Sequence, residues 1–146
     1  MKIFLAEDNP ADVYLLREAL GVENDSEIEL VVAHDGEEAM DFVHRRGKFG
    51  SLAKPDLIVL DLNLPKSDGS DILRCIREST ELREIPVVVL TSSDSPRDRA
   101  AAARLGADGY ITKPSDLDAF LSLGLTLRAF ATTSDEVPPD VRSAKV

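Results

Sequence analysis

Four short apolar runs punctuate the chain, and each stops abruptly at polar residues. Ile3-Phe4-Leu5-Ala6 stops at Glu7-Asp8, Leu57-Ile58-Val59-Leu60 at Asp61, and Val87-Val88-Val89-Leu90 at Thr91. The shorter Tyr110-Ile111-Thr112 leads to Lys113-Pro114. Such runs predict strands, and the nearly unbroken apolar ones predict strands buried on both faces. A further strand is predicted over about 27–33. Helical spacing fills the intervals. Val13, Leu16 and Leu20 form a stripe over 10–20, with Asp8 and Asn9 as cap candidates and Pro10 suited to the first turn. Asp35 caps a predicted helix over 37–46 with Ala39, Phe42 and Val43 inward, and Gly47 terminates it.

The segment 48–55 reads as a surface connection. Ile72, Leu73 and Ile76 mark a third helix, and an Ala- and Arg-rich segment over 96–105 marks a fourth, ending at Gly106. A fifth is expected over 115–130, with Ser115 as cap and Gly124 weakening its middle. Strand and helix thus alternate five times. That order predicts an α/β protein: a doubly wound, five-stranded parallel sheet flanked by five helices.

In open sheets of this kind, ligands bind at the carboxyl ends of the strands. Glu7, Asp8, Asp61, Thr91 and Lys113 should therefore meet at one edge. Three clustered carboxylates are unfavourable unless a cation neutralises them. Oxygen-only ligands point to a hard ion, and a few carboxylates completed by water suit Mg²⁺. Asp61 is the candidate reacting group, a carboxylate nucleophile able to form an acyl phosphate. Thr91 and Lys113 would supply donors to the phosphoryl oxygens, and Lys113 would pair with Asp61 before reaction. The Lys113–Pro114 bond can be cis or trans.

Composition narrows the field. With 146 residues the chain is long enough for one core, and 43% hydrophobic and 30% charged residues are those of an ordinary globular protein. A net charge of −10 argues against direct nucleic-acid binding. No segment has the apolar length of a membrane span, and acidic residues arrive too early for a signal peptide, so the expected location is the cytoplasm. The single cysteine, Cys75, excludes an internal disulfide and reads as a packed thiol. His34 and His44 join no metal motif. Arg45, Arg46, Lys48 and Lys54 form a basic patch that reads as a solvated face.

The residues carry a family likeness. The chain resembles the response-regulator receiver domain of two-component signalling. The matching motifs are Glu7-Asp8, the run Asp61-Leu62-Asn63-Leu64-Pro65 followed by Asp68-Gly69, Leu90-Thr91-Ser92, Gly106-Ala107-Asp108-Gly109-Tyr110 and Lys113-Pro114. The resemblance implies a flavodoxin-like (βα)5 receiver fold over residues 1–131, followed by a polar tail over 132–146 that is expected to be mobile. It also implies that Asp61 accepts a phosphoryl group from a histidine kinase. Mg²⁺ would be bound by Asp8, Asp61 and the backbone carbonyl of Asn63, with Glu7 helping through water. Thr91 would move toward the phosphoryl group and Tyr110 would change rotamer, switching the face formed by the fourth helix, fifth strand and fifth helix.

A narrower likeness attaches to Asp8-Asn9-Pro10-Ala11-Asp12 and to Asp61-Leu62-Asn63-Leu64-Pro65-Lys66. These look like the single-domain regulators that partner bacterial phytochromes. The end of the last helix, Arg128-Ala129-Phe130-Ala131-Thr132, departs from the more aromatic endings of that group. The Leu-rich last helix and Phe130 predict an isologous homodimer. Two competing readings are a phosphorylation-independent docking module and a haloacid-dehalogenase-type phosphatase. The second needs an acid two residues after its nucleophile, where this chain has Asn63. Receiver chemistry would be confined to the domain's own phosphorylation and dephosphorylation, so the protein is not expected to be an enzyme in the ordinary sense.

Overall fold

A computed structural model describes residues 1–25 and 27–132. Five strands, β1 (Lys2–Ala6), β2 (Glu29–Ala33), β3 (Leu57–Leu60), β4 (Val87–Thr91) and β5 (Gly109–Thr112), form one parallel sheet in the order β2-β1-β3-β4-β5. The helices are α1 (Pro10–Leu20), α2 (Gly36–Val43), α3 (Gly69–Glu78), α4 (Pro96–Arg104), α5 (Leu117–Leu121) and α6 (Leu123–Ala131). The doubly wound parallel sheet expected from the strand–helix alternation, and the flavodoxin-like fold that the family resemblance implies, are observed. No helix among the described residues is long and apolar enough to cross a membrane.

The period-two alternation of the strands divides the core into two layers. Ile3, Leu5, Leu57, Val59, Val88, Leu90 and Ile111 face one side, where Val13, Leu16 and Leu20 of α1 pack with Phe120, Leu123, Leu127 and Phe130 of the last helices. Phe4, Ala6, Ile58, Leu60, Val87, Val89 and Tyr110 face the other, against Phe42, Ile72, Leu73, Ile76 and Ala102 of α2, α3 and α4. The central strands β3 and β4 are wholly buried, as their apolarity requires.

Local chemistry sets the helix ends. Asn9, not Asp8, caps α1, its side chain accepting from the N–H groups of Ala11 and Asp12. Asp35 and Asp68 cap α2 and α3 in the same way. The cap before α5 is Asp116 rather than Ser115. The second helix stops earlier than expected because Arg45 adopts a left-handed conformation at φ 58°. The second strand starts later, since Ile28 N–H bonds back to Asp25 O in a turn.

Two expectations need larger correction. The connection after α2 is not merely superficial: a short 3₁₀ turn, Gly47–Phe49, buries Phe49. Its ring meets Phe4 and Phe42 edge-on at 5.9 and 6.1 Å, while Phe4 and Phe42 stack at 3.7 Å. The expected single last helix is interrupted at Ser122. Its hydroxyl and its N–H both donate to Asp118 O, a back-bond of the kind that bends helices. Gly124 serves close packing rather than weakness, since a Cβ there would lie 1.9 Å from Ala19 O of α1. Within the expected tail, residues 133–146 lie outside the described residues.

Candidate functional site

Ladder hydrogen bonds continue one step past the strand ends and fix the backbone of the key residues. Glu7 N–H donates to Ala33 O at 3.0 Å, Asp61 N–H to Ala6 O at 3.0 Å, and Lys113 N–H to Thr91 O at 2.7 Å. Glu7 stays in phase with Ile3 and Leu5, Asp61 with Leu57 and Val59, and Lys113 with Ile111. All three point to the α1 side of the sheet. Thr91 is in phase with Val87 and Val89 and turns to the α4 side, as does Tyr110. The N-terminus of α3 closes the loop after β3, where Gly69 leaves no room for a side chain: a Cβ would lie 2.5 Å from Leu62 Cα.

Glu7, Asp8, Asp61, Thr91 and Lys113 thus gather at one sheet edge. Lys113 Nζ lies 2.6 Å from Glu7 Oε1 and 2.9 Å from Asp61 Oδ2. Among the described residues every peptide bond is trans, so Lys113 reaches the acids without a cis bond to Pro114. A third contact, 2.8 Å to Asp12 Oδ2, is one that sequence reasoning missed. Asp12 lies in the first turn of α1, four residues past Asp8, and the in-phase residues all face that helix. The strand period was the signal that could have exposed it.

Electrostatics follow from burial. Glu7 is 1% exposed, and burial, with Asp61 nearby, pushes its carboxyl up to about 7 despite the opposing ammonium. Burial works against the Lys113 charge, but bonds to Asp12, Glu7 and Asp61 outweigh it and hold the ammonium above the ordinary lysine value. Carboxylate oxygens of Glu7, Asp8 and Asp61 come within 4.8 Å of one another. Glu7 Oε1 is fully buried with no aligned hydrogen-bond donor despite the nearby ammonium. An all-oxygen cluster with a buried lone pair unmet fits a hard divalent cation.

From Asp61 a chain of contacts runs to the opposite face. Asn63 N–H donates to Asp61 Oδ1 at 3.0 Å, and its amide donates to Thr91 Oγ1 at 3.2 Å. Ser93 N–H reaches Thr91 Oγ1 at 3.4 Å, and the hydroxyl of Tyr110 donates to Ser93 O at 2.9 Å. Tyr110 is buried, and the Arg99 guanidinium of α4 lies 4.6 Å from its ring centroid. Ser92 beside Thr91 is exposed.

Other sequence features resolve more simply. Arg46 and Lys48 are exposed and pair with Asp41 and Glu38, whereas Arg45 is partly buried and pairs with Glu81, so the patch is largely neutralised locally. His44 is exposed at the end of α2, and Cys75 packs partly buried against the core. Phe130, expected at an interface, is core: its ring lies over Gly109. The exposed apolar side chains of that side are Tyr14, Leu117 and Leu125.

Comparison with known proteins agrees with this geometry. The profile of the response regulator receiver domain matches residues 3–123. Response regulator Rcp1 of Synechocystis sp. (strain ATCC 27184 / PCC 6803 / Kazusa) is 41% identical over 115 residues, spanning 79% of this chain and 78% of Rcp1. The transcriptional regulatory protein TrcR of Mycobacterium tuberculosis (strain ATCC 25618 / H37Rv) is 40% identical, but the match spans only 41% of its length. Among solved structures, the phosphorylated cyanobacterial phytochrome response regulator RcpA superposes with a TM-score of 0.84 at 39% identity, covering 94% of this chain and 97% of its own. The Mn²⁺-bound form of Rcp1 gives 0.82 at 35% identity, covering 94% and 98%. A phytochrome-type regulator thus matches in sequence and in structure over most of both chains, and the chain belongs to the response regulator receiver domain family.

Proposed function

We propose that Asp61 is the phosphoryl acceptor of this receiver domain and that the donor is the phosphohistidine of a histidine kinase. One observation carries the assignment: Asp61, at a strand's carboxyl end, is nearly buried yet in contact with Lys113 and beside two further acids. A carboxylate oxygen of Asp61 attacks phosphorus, the P–N bond breaks, and its electron pair returns to the kinase imidazole, leaving an acyl phosphate. Lys113 would follow the charge from the carboxylate to a phosphoryl oxygen, and Thr91 would turn from the α4 side to donate its hydroxyl to another. Glu7, Asp8, Asp61 and the carbonyl of Asn63 would hold Mg²⁺, which supplies charge neutralisation for the approach of an anionic phosphoryl group. The catalysis is limited to the domain's own phosphorylation and dephosphorylation.

The outlet of the signal is the α4–β5–α5 face. Recruiting Thr91 to a phosphoryl oxygen would break its bond from Asn63 and free the loop whose Ser93 carbonyl accepts from Tyr110. Similarity to RcpA and Rcp1 supports a phytochrome-type histidine kinase as partner. The cytoplasm, where such kinase domains present their phosphohistidine, is the proposed location. A homodimer would use Tyr14, Leu117 and Leu125 rather than Phe130. Light scattering with and without phosphorylation tests it, and a monomer in both states refutes it. The phosphatase reading loses support because the Asn63 amide is engaged by Thr91 and offers no acid.

The test is intact mass after incubation with acetyl phosphate, with Mg²⁺ or with EDTA. One added phosphoryl group on wild type with Mg²⁺ only, and none on Asp61→Asn, is expected. An adduct that survives in Asp61→Asn would refute the assignment of the acceptor.

A further inference from the structure

Lys113 pairs with three carboxylates, but only two of them belong to the acid cluster. Its ammonium lies close to Glu7, Asp12 and Asp61, and the contacts to Asp12 and Asp61 have hydrogen-bond geometry. Glu7 and Asp61, with Asp8, form the group whose oxygens converge; Asp12 stands outside it. A cation entering that group draws on two carboxylates, Glu7 and Asp61, that Lys113 now holds. Two positive charges cannot share them without strong repulsion in so buried a site. Lys113 is only 12% exposed, so it has no ready escape to water and needs an anion that the incoming ion leaves alone.

Asp12 is built to be that anion. Its N–H is fixed by the Asn9 cap, and its carboxylate sits in the first turn of α1, where the helix dipole favours negative charge. We propose that Asp12 is a positioning residue: it holds the Lys113 ammonium within reach of Asp61 while a divalent cation occupies Glu7, Asp8 and Asp61. The inference rests on the cation reading above and deepens it. Without Asp12 the ammonium stays on Glu7 and Asp61 and opposes the ion. Asp12 therefore strengthens cation binding through Lys113, not as a ligand.

The test is Mn²⁺ affinity by electron paramagnetic resonance at physiological salt, on the full chain without phosphodonor. Asp12→Asn should weaken binding about fivefold, a modest effect for one partly exposed charge. In a Lys113→Met background the same substitution should change affinity less than about twofold, because the ammonium it steers is gone and remote charge is screened. Asp12→Glu, which keeps the anion, should stay within about twofold of wild type. Thermal melts verify that each variant folds; should Lys113→Met fail, the Asp12→Glu comparison decides alone. Equal losses in both backgrounds, or a loss in Asp12→Glu as large as in Asp12→Asn, would overturn the inference. Wild type that binds Mn²⁺ with Asp12→Asn unchanged would overturn it alone, whereas wild type that fails to bind would overturn the cation reading and this inference together.

Discussion

Glu7→Gln should remove a loss of stability with rising pH from the cation-free protein. Glu7 is 1% exposed, and its carboxyl is raised from 4.5 to about 7, chiefly by burial. A folded-state value above the unfolded one means that the protonated form is the one the fold favours. That contribution is fully present below pH 4.5 and is lost as pH rises through about 7. At about 1.4 kcal/mol per pH unit the loss approaches about 3 kcal/mol, a large part of a typical domain's stability. Glutamine keeps the shape and removes the titration.

The assay is urea unfolding in EDTA at closely spaced pH values from 4 to 8 (roughly the span over which the group titrates). The stability of Glu7→Gln minus that of wild type should climb toward about 3 kcal/mol across this range, whatever its starting value. Carboxylates remote from Glu7 titrate alike in both proteins and cancel from the difference. Added Mn²⁺ should reverse the order above pH 7, where the ionised Glu7 gains a partner that Gln cannot match. Parallel stability curves for the two proteins would refute the reasoning, for they would mean that the buried acid does not titrate in this window.

Three structural substitutions test the packing that positions the site. Gly124→Ala forces a Cβ to 1.9 Å from Ala19 O; overpacking of about 1–3 kcal/mol should exceed the gain of up to about 1 kcal/mol in helix propensity and lower the melting temperature. Phe49→Ala removes the edge-on partner of Phe4 and Phe42 and should cost about 3–5 kcal/mol in urea unfolding, whereas a merely superficial connection would cost almost nothing. Arg77→Ala deletes the guanidinium that bonds the carbonyls of Arg83, Ile85 and Gly106 and the carboxylate of Asp108. A loss of about 2–3 kcal/mol, with faster hydrogen exchange at the β4 and β5 entrances, is expected.

The gathering of Glu7, Asp8, Asp61, Thr91 and Lys113 was legible in the sequence because each ends a short apolar run. Strands of one parallel sheet necessarily present their carboxyl ends to the same edge. Capping by Asp35 and the inward stripes of α1 and α2 were legible for a similar reason: local hydrogen bonds and helical period are written in neighbouring residues. The order β2-β1-β3-β4-β5 and the partner of each buried ammonium are not local facts. Lys113 and Asp12 are 101 residues apart, and only the tertiary packing of α1 against α5 and α6 on one side of the sheet brings them within 2.8 Å. Phe49 shows the same division from the side of packing. Its burial depends on a cavity walled by Phe4 and Phe42, and nothing in its polar neighbourhood of Gly47, Lys48 and Gly50 announces it. Gly124 reads as a weak point in a helix until the backbone of Ala19 is placed against it. The sequence alone determined which polar residues end the strands and at which edge they stand; tertiary structure decided which charges touch, because contact between distant segments is set by the packing of whole elements rather than by any local preference.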